Sequence, residues 1–503
     1  MKKILVLLMA VMLVFSVLPV IAGGAREEVP DEKVIRIAEQ VPGLITPGSW
    51  DGQAFSLNSS IYEYLVEIDV DSGELVPCLA REWSTEDGKT WTFKLQEGVA
   101  FHDGSPLTSA DVRFTIERTQ DPALGHLKQQ DFSSVESIDT PDDYTVVLHL
   151  DEVRPTFVYQ FTDYNMPILS STYDYQAMGE TQPMGTGPFM LEQMIPKESA
   201  LLVRNPDYWQ EGLPKLDKLM IYFIPDIDSS ISMLEDGRVD VVPFITPIIA
   251  RRIERTEGLQ VVSPYQEQRF ISMAYNAEPF SDNRVRLAMK YAMDPHLIAR
   301  SMQGELGESV FYDETPIMNI LAQHKELPLR EQDVEKARSL LAEAGYPDGV
   351  SVELYYASDH PFNQDLAQTI KELAAPAGFD VDLRGFTRDI YLSQYWLNRP
   401  FLITGWGGRI DPSMLLYLAF HSRGPWNESH MDHPEVDRLI DLISAEVDEQ
   451  KRQEYYDELQ EIFYVEGPLI NVQVPYLVAM SDSVVNYRQP LTMIPQYKYI
   501  EIR

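Results

Sequence analysis

Helix and strand patterns alternate along the second half of this chain of 503 residues. Apolar residues recur at helical spacing over residues 334–344, and Gly345 follows where a helix often ends in a left-handed residue. A second apolar stripe covers residues 366–377, Gly378 closes it, and a strand pattern at residues 381–383 follows at once. This alternation predicts an α/β fold, with helices packed on the faces of sheets.

The same reasoning predicts elements elsewhere in the chain. Alternating apolar and polar residues predict strands at residues 34–38, 145–150 and 219–223. Helical spacing predicts two more helices, over residues 436–443 and 456–463. No low-complexity linker and no short-period repeat divides the chain, so composition alone does not show domain borders.

The sequence contains one cysteine, Cys78, so an internal disulfide is excluded. Stability must therefore come from an apolar core, and a hydrophobic content of 44% is sufficient for one. The length corresponds to roughly three domains on the usual scale of about 150 residues each.

The first residues have the three-part pattern of a cleaved secretory signal. Lys2 and Lys3 precede an apolar run at residues 4–17, and small residues surround Ala22. We expect residues 1–22 to be a signal peptide and the mature protein to be secreted and soluble in the periplasm. A lipoprotein would need a cysteine at the cleavage point, and the single cysteine lies far downstream, so lipidation is not expected.

The chain carries 78 acidic and 41 basic side chains, which gives a formal net charge of −37. Such a protein repels phosphate backbones and anionic lipid head groups, so binding to nucleic acid or to a membrane surface is not expected. We interpret the acidity as a property that supports solubility rather than as an acidic binding function.

The sequence lacks the common motifs of catalysis and of nucleotide binding. It contains no G-x-S-x-G elbow, no H-E-x-x-H pair and no Walker loop. Among 78 acidic residues, neighbouring carboxylates arise by chance, so a glycosidase-like pair has little support. No catalysis and no cofactor are therefore expected, and a secreted hydrolase using acidic residues is the rival from another functional class.

Three histidines are candidates for metal binding, and each has a simpler interpretation. His102 belongs to an HDG turn, in which Gly104 suits a positive φ angle. His430 and His433 lie on a loop before Pro434, without a third or fourth ligand at diagnostic spacing. No metal is expected, and nickel binding is a minor alternative.

Residues 76–112 carry a distinctive series of local signals. An acidic residue and a glycine at residues 87–88 precede a strand pattern at residues 90–95. The HDG turn follows at residues 102–104, and a helix is predicted to begin after Thr108.

Further segments follow in the same order as in one known family. They are GTGPF at residues 185–189, RNPDYW at 204–209, Tyr275 with Asn276, and PFSDNRVRLAMKYAMD at 279–294. Together with residues 76–112 they resemble the periplasmic solute-binding proteins of peptide/nickel-type ABC importers, also called extracellular solute-binding protein family five. Tyr275 and Asn276 are included among the candidate ligand-binding residues.

The resemblance implies a specific α/β architecture. It is that of a two-lobed periplasmic binding protein (class II, cluster C type), with an extra satellite domain and a hinge between the lobes. Carried over, the first lobe comprises residues 34–59, 185–272 and 481–503. The satellite domain comprises residues 60–184, and the second lobe comprises residues 273–480. The expected partners are a small solute and an ABC permease in the inner membrane, and the protein itself is expected to be a monomer.

The segment TGWGGRIDPSMLLYLAFHS, residues 404–422, is the candidate ligand site. Its glycines let the backbone approach another surface, and Trp406 offers a flat apolar wall. The family places a tryptophan from a matching segment in its cleft, although a core position is the alternative. Gly408, Arg409 and Asp411 follow, and charged groups near a closing cleft need partners, which are either each other or the solute.

One position departs from the family. Its peptide receptors commonly carry an acidic residue four positions before a proline, where it pairs with the free amine of the peptide. Relative to Pro412, that position is Gly408. The hypothesis is that Arg409 binds an anionic or hydroxyl-rich end of the solute, while Asp411 orients it or meets an amine in a shifted register.

The expected function is the capture of a small peptide or peptide-like solute for import. An oligosaccharide is the alternative solute, because the same architecture serves both solute types and aromatic walls stack on sugars as readily as on side chains.

Overall fold

The computed structural model describes residues 32–40, 55–178, 181–303, 310–360, 362–407 and 409–503. In this part of the chain, three sheets of four or more strands are surrounded by helices. The expected signal peptide at residues 1–22 and the candidate site residue Gly408 lie outside the described residues.

Sheet A is a mixed sheet whose seven described strands come from distant parts of the chain. Its strand Val34–Glu39 pairs in parallel with Lys218–Phe223 and with Val241–Pro243, and the other neighbouring strands are antiparallel. In order across the sheet, the strands are Leu259–Val262, Val478–Ser481, Val241–Pro243, Val34–Glu39, Lys218–Phe223, Ser199–Arg204 and Phe189–Ile195. The strands predicted at residues 34–38 and 219–223 are therefore confirmed.

Sheet B has six described strands and is also mixed. Strand Val350–Ala357 pairs in parallel with Phe379–Phe386 and with Phe401–Trp406, while the remaining pairs are antiparallel. In order, the strands are Phe311–Asp313, Leu469–Pro475, Gln266–Met273, Phe401–Trp406, Val350–Ala357 and Phe379–Phe386.

Sheet C is antiparallel and comes from one continuous part of the chain. Its strands are, in order, Ala80–Ser84, Thr90–Leu95, Thr145–Leu150 and Val135–Asp142. Helix Ser109–Gln120 packs on it, and its apolar residues Val112 and Ile116 are fully buried. The helix begins after Thr108, which forms a capping box with Asp111, as the sequence around the HDG turn predicts.

Two helices in the second half of the chain are longer than the apolar stripes that predicted them. The stripe at residues 436–443 becomes helix Pro434–Ala445, and the stripe at 456–463 becomes helix Glu449–Glu466. The extra turns begin at polar caps, since His433 and Asp448 each accept a hydrogen bond from a backbone N–H of the first turn. Apolar spacing marks only the buried part of a helix, so it underestimates the length.

The predicted helix-strand alternation is confirmed. Helices Val334–Glu343 and Asn363–Ala374 precede strands of sheet B, and Gly345 and Gly378 adopt positive φ angles of 99° and 102°. The remaining helices are Phe55–Ile61, Tyr175–Met178, Ile227–Glu235, Pro247–Ile253, Asn283–Ala292, Pro295–Gln303, Arg388–Ile390 and Pro412–Phe420, with short 3-10 or π turns at Phe157–Thr162, Ala375–Ala377, Tyr391–Tyr395 and Tyr497–Tyr499. None of the described helices combines the length and the apolar character that a membrane crossing requires.

Two chain segments pass between sheets A and B. Residues 263–265 join strand Leu259–Val262 to strand Gln266–Met273, and residues 476–477 join Leu469–Pro475 to Val478–Ser481. The family-derived lobe borders, after residues 272 and 480, fall inside strands Gln266–Met273 and Val478–Ser481. A division by sheets would instead place the crossings at the two short connections, where one strand ends and the next begins.

Candidate functional site

The carboxyl ends of the parallel strands meet where sheets A and B approach each other. Strand Val241–Pro243 of sheet A is followed by Phe244, and strand Val350–Ala357 of sheet B is followed by the loop that carries His360. The rings of Phe244 and His360 make an edge contact with centroids 5.2 Å apart. Ligands of open α/β sheets bind at carboxyl ends of strands, so this junction, called here the inter-sheet cleft, is the candidate site.

Trp406 is the last residue of its strand and therefore lies at the cleft edge of sheet B. Its side chain is nevertheless buried, at 6% exposure, and its ring lies 5.9 Å from that of Trp426 and 6.3 Å from that of Phe270. Its indole N–H points to Glu428 Oε1 at 3.5 Å. The prediction that Trp406 contacts the solute stays a prediction, because the ring is packed into the core beside the cleft.

Arg409 follows in the loop after this strand. Its Nη1 donates to the carbonyl of Gly407 at 3.4 Å. Its charge also acts on Asp163, which lines the same cavity. Burial opposes ionisation of Asp163, but the charges of Lys128 and Arg409, together with hydrogen bonds from Asn165 and Lys128, lower the pKa of that carboxyl. Lys128 Nζ lies 3.3 Å from Asp163 Oδ2. Arg409 thus lies near a buried ion pair formed by Lys128 and Asp163.

A cavity of about 20 Å³ separates the two sides at Arg409. Its lining residues are Tyr159, Thr162, Asp163, Tyr164, Arg409, Ile410, Asp411, Met414 and Thr492. Sites for small molecules have volumes of about 300–1,000 Å³. A solute can therefore enter this cavity only after the two sides separate, as a hinge would allow.

Asp411 is a helix cap. Its carboxylate accepts hydrogen bonds from the backbone N–H and the hydroxyl of Ser413, at 3.0 and 2.8 Å, and from the hydroxyl of Tyr456 at 3.1 Å. Its side chain is buried, and these contacts hold the first turn of helix Pro412–Phe420. The pattern of an aspartate before a proline at the first helical position could have predicted this cap. The prediction that Asp411 also serves the solute stays untested.

Tyr275 and Asn276 lie away from the other candidates. In sheet B, Trp406 pairs with Gln268 and Phe401 pairs with Met273, so Tyr275 lies beyond the opposite end of the strand. The Tyr275 hydroxyl donates to the carbonyl of Glu466 at 2.8 Å, and its backbone N–H donates to Ser429. The structure does not bring these two residues to the inter-sheet cleft.

A charged cluster at the cleft was missed by the sequence analysis. Arg269, on strand Gln266–Met273, contacts both Glu267 and His360, and all three are largely buried. Burial, followed by the nearby Arg269 charge, lowers the pKa of His360 to about 4, so the imidazole is neutral at pH 7. Burial opposes ionisation of Glu267, but Arg269, His360 and Arg388 together outweigh burial and lower the pKa of the carboxyl.

The absence of a side chain at Gly405 leaves space for the guanidinium of Arg269. A Cβ atom at position 405 would collide with the guanidinium of Arg269, which lies directly over the Gly405 backbone. The segment QEQRF around Arg269 predicts a strand and no site. The partners of Arg269, Gly405 and His360, are 136 and 91 residues away from it in the sequence. No local spacing could therefore have indicated the cluster.

The histidines weighed as metal ligands have structural contacts. His102 Nε2 lies 3.0 Å from the carbonyl oxygen of Gly187, and burial lowers its pKa to about 4. His433 caps helix Pro434–Ala445, with its Nδ1 accepting from the backbone N–H of Val436 at 3.2 Å. His430, with φ of 48°, lines an open groove of about 510 Å³.

One group of three ligand-type side chains lies close together among the described residues. It consists of Glu63, Glu67 and Cys78. Glu67 already accepts from Lys498 Nζ at 2.8 Å, and the Cys78 thiol lies 3.3 Å from Glu67 Oε1. The ammonium group of Lys498 thus supplies positive charge beside Glu67.

A family model for bacterial extracellular solute-binding proteins, family 5 (middle), matches residues 74–427. The glutathione-binding protein GsiB of Escherichia coli O1:K1 / APEC is 26% identical over 473 residues, which cover 89% of this chain and 90% of the relative.

Solved structures have the same fold. The ABC transporter substrate-binding protein CtaP from Listeria monocytogenes superposes with a TM-score of 0.82 at 22% identity, covering 94% of this chain and 99% of that protein. The periplasmic binding protein DppA from Helicobacter pylori, in complex with the peptide STSA, gives a TM-score of 0.78 at 23% identity, covering 93% and 98%. At these identities the structural likeness shows the fold alone, and it confirms the expected two-lobed binding-protein type.

Proposed function

The chain belongs to the family 5 bacterial extracellular solute-binding proteins, and we propose that it captures a small peptide or peptide-like solute in the periplasm and delivers it to the permease of an ABC importer. The observation that carries the proposal is the meeting of two carboxyl sheet edges at Phe244 and His360. Arg409 follows strand Phe401–Trp406, which ends at the same edge of sheet B. A family of binding proteins also favours a receptor over a secreted hydrolase.

The chemistry of the cleft supports a solute with a carboxylate. In a chain with a net charge of −37, an arginine at the cavity between the two sides is an informative exception. A guanidinium binds a carboxylate through two parallel hydrogen bonds. Gly408 stands where the family's peptide receptors commonly carry the acid that binds the amine, so the carboxylate end is the proposed anchor.

The two crossings support hinge motion between two lobes. We assign sheet A to the first lobe and sheet B to the second, with sheet C as the satellite domain. Closure would bring Arg409 against Asp163 and Tyr164 of the satellite side, and a bound solute would shift the population toward the closed form. A monomer is sufficient for this mechanism, because both sides of the cleft belong to one chain.

A thermal-shift panel tests the solute class. Glutathione, a set of tripeptides and a set of oligosaccharides would each be added to the purified protein, and the mixtures would be analysed afterwards by mass spectrometry. Stabilisation by a peptide that is recovered intact supports the proposal. Stabilisation by oligosaccharides alone would show that the solute is an oligosaccharide rather than a peptide. Recovery of a hydrolysed peptide or oligosaccharide would show that the protein is an enzyme.

A further inference from the structure

Glu428 is a buried carboxylate that joins two tryptophans, one of which, Trp406, ends its strand at the cleft edge of sheet B. Glu428 is only 1% exposed to solvent. Trp396 Nε1 donates to Oε2 at 2.6 Å, and Ser272 Oγ donates to Oε1 at 2.8 Å. Trp406 Nε1 approaches the same Oε1 at 3.5 Å. One acidic side chain thus contacts both indoles.

The partners of Glu428 require each of its two carboxylate oxygens to accept a hydrogen bond. An indole N–H can only donate a hydrogen bond, so Oε2 must accept from Trp396, and Oε1 must accept from Trp406. Burial raises the pKa of Glu428, and hydrogen bonds from its neighbours oppose this shift, with no ion pair among the named causes. The hydrogen bonds, rather than a cation, therefore hold the carboxylate in place.

The arrangement fixes the ring of Trp406. A third tryptophan, Trp426, lies 5.9 Å from Trp406 and 6.0 Å from Trp396, so the three rings form one block, here called the tryptophan block (Trp396, Trp406 and Trp426). Trp406 ends its strand, and the residues on both sides of it are glycines. Neighbouring side chains on the strand therefore do little to orient this indole, and Glu428 provides its hydrogen-bond partner.

We propose that Glu428 is a positioning residue for solute binding: by accepting the indole N–H groups of Trp396 and Trp406 it sets the orientation of the tryptophan block, whose member Trp406 ends its strand at the inter-sheet cleft. This inference rests on the proposed function. It predicts that a change at Glu428 weakens solute binding through Trp406, without direct contact between Glu428 and the solute.

Glutamine at position 428 is a sharp test because it has nearly the shape of glutamate. Its amide has one acceptor oxygen and one NH2 group, so it can accept from only one of the two oxygen positions. The NH2 group must then face Trp396 or the pair Ser272 and Trp406, which places donor against donor. The Glu428→Gln variant therefore breaks one side of the arrangement while it keeps the volume.

Glu63 offers a matched control at a position far from Glu428 in the sequence. It is also a buried carboxylate, and it accepts from Trp209 Nε1 at 3.0 Å, from the Tyr208 hydroxyl at 2.6 Å and from Thr186 Oγ1 at 2.9 Å. The Glu63→Gln variant loses comparable buried hydrogen bonds, but it leaves the tryptophan block unchanged. A purely structural effect should be the same in both variants.

The experiment combines indole NMR of protein labelled with 15N-tryptophan and calorimetry with glutathione and trialanine. We expect Glu428→Gln to shift the indole signals of Trp396 and Trp406, assigned from Trp→Phe variants, and to weaken peptide binding about tenfold. Glu63→Gln should lower the melting temperature similarly, shift only the Trp209 signal and keep the affinity of the parent.

Two results would overturn the inference. One is unchanged Trp396 and Trp406 signals in Glu428→Gln, and the other is shifted signals with parental affinity. A parent protein without affinity for either peptide would count against the proposed peptide function, and the indole signals would still decide whether Glu428 orients Trp406.

Discussion

Tyr265 and Tyr476 stack at the two points where the chain passes between sheets A and B, with ring centroids 4.7 Å apart and an interplanar angle of 15°. The backbone N–H of Tyr476 also donates to the carbonyl of Tyr265 at 2.9 Å. Phe244 extends the contact, since its ring lies 5.6 Å from that of Tyr476. The two crossings therefore lie side by side and are held together by the stacked rings and a backbone hydrogen bond.

The stacked pair should contribute measurable coupling. Aromatic pairs contribute about 0.5–1.5 kcal/mol beyond the area they bury. In a double-mutant cycle of Tyr265→Leu and Tyr476→Leu, measured by urea denaturation, we expect a coupling free energy of about 1 kcal/mol. Additive effects of the two substitutions would show that the rings do not stabilise each other.

Gly405 should be intolerant of a methyl group. Gly405→Ala forces the added Cβ against the guanidinium of Arg269, so we expect a loss of about 1–3 kcal/mol in the free energy of unfolding. In an Arg269→Ala background the methyl group has room, and the same substitution should then cost far less. An equal cost in both backgrounds would place the strain elsewhere.

Glu39 should make stability depend on pH. Burial raises the pKa of its carboxyl from 4.5 to about 7, and Oε2 has no hydrogen-bond partner in the described part of the chain. Between these values the unfolded chain has already released the proton while the folded protein keeps it, so stability falls as pH rises from about 4.5 to about 7.

The Glu39→Gln variant tests this directly, because its side chain stays neutral. Relative to the parent, it should gain up to about 3 kcal/mol in the free energy of unfolding between pH 4.5 and pH 8, measured by urea denaturation. Parallel pH profiles for the parent and the variant would rule out a buried neutral carboxyl at this position.

Arg409 and Asp411 should differ in their effects on binding. The loss of a hydrogen bond to a charged group costs about 1.5–3 kcal/mol, so Arg409→Ala should weaken peptide binding roughly tenfold to a hundredfold in calorimetry. Asp411→Asn should change affinity little, since asparagine is also a good helix cap. The opposite pattern would make Asp411 the anchor and would restore recognition of the peptide amine.

Local patterns in the sequence predicted the elements that depend on local forces. The strands at residues 145–150 and 219–223 and the helices closed by Gly345 and Gly378 follow from alternation, helical spacing and glycine caps. The family resemblance supplied the two-lobed type, because the matching segments occur in the same order.

The site could not be predicted in the same way. The cluster forms because three strands of sheet B come together at one edge: two parallel strands end there, and the antiparallel strand that carries Arg269 begins there. Only this arrangement brings Arg269 to His360 and Gly405. Glu428 meets Trp406 across 22 residues that include helix Pro412–Phe420, and no local pattern fixes where the loop after this helix returns. Tyr275, which was chosen from a matching segment, lies beyond the end of strand Gln266–Met273 that is opposite Trp406, and its role in binding stays a prediction.

The most direct test of the account is calorimetry with a matched pair of ligands, trialanine and its C-terminal amide, on the parent protein. We expect the peptide with the free carboxylate to bind and the amide to bind at least about tenfold more weakly, because Arg409 loses its charged partner. Equal affinity for both peptides would contradict the proposed carboxylate anchor.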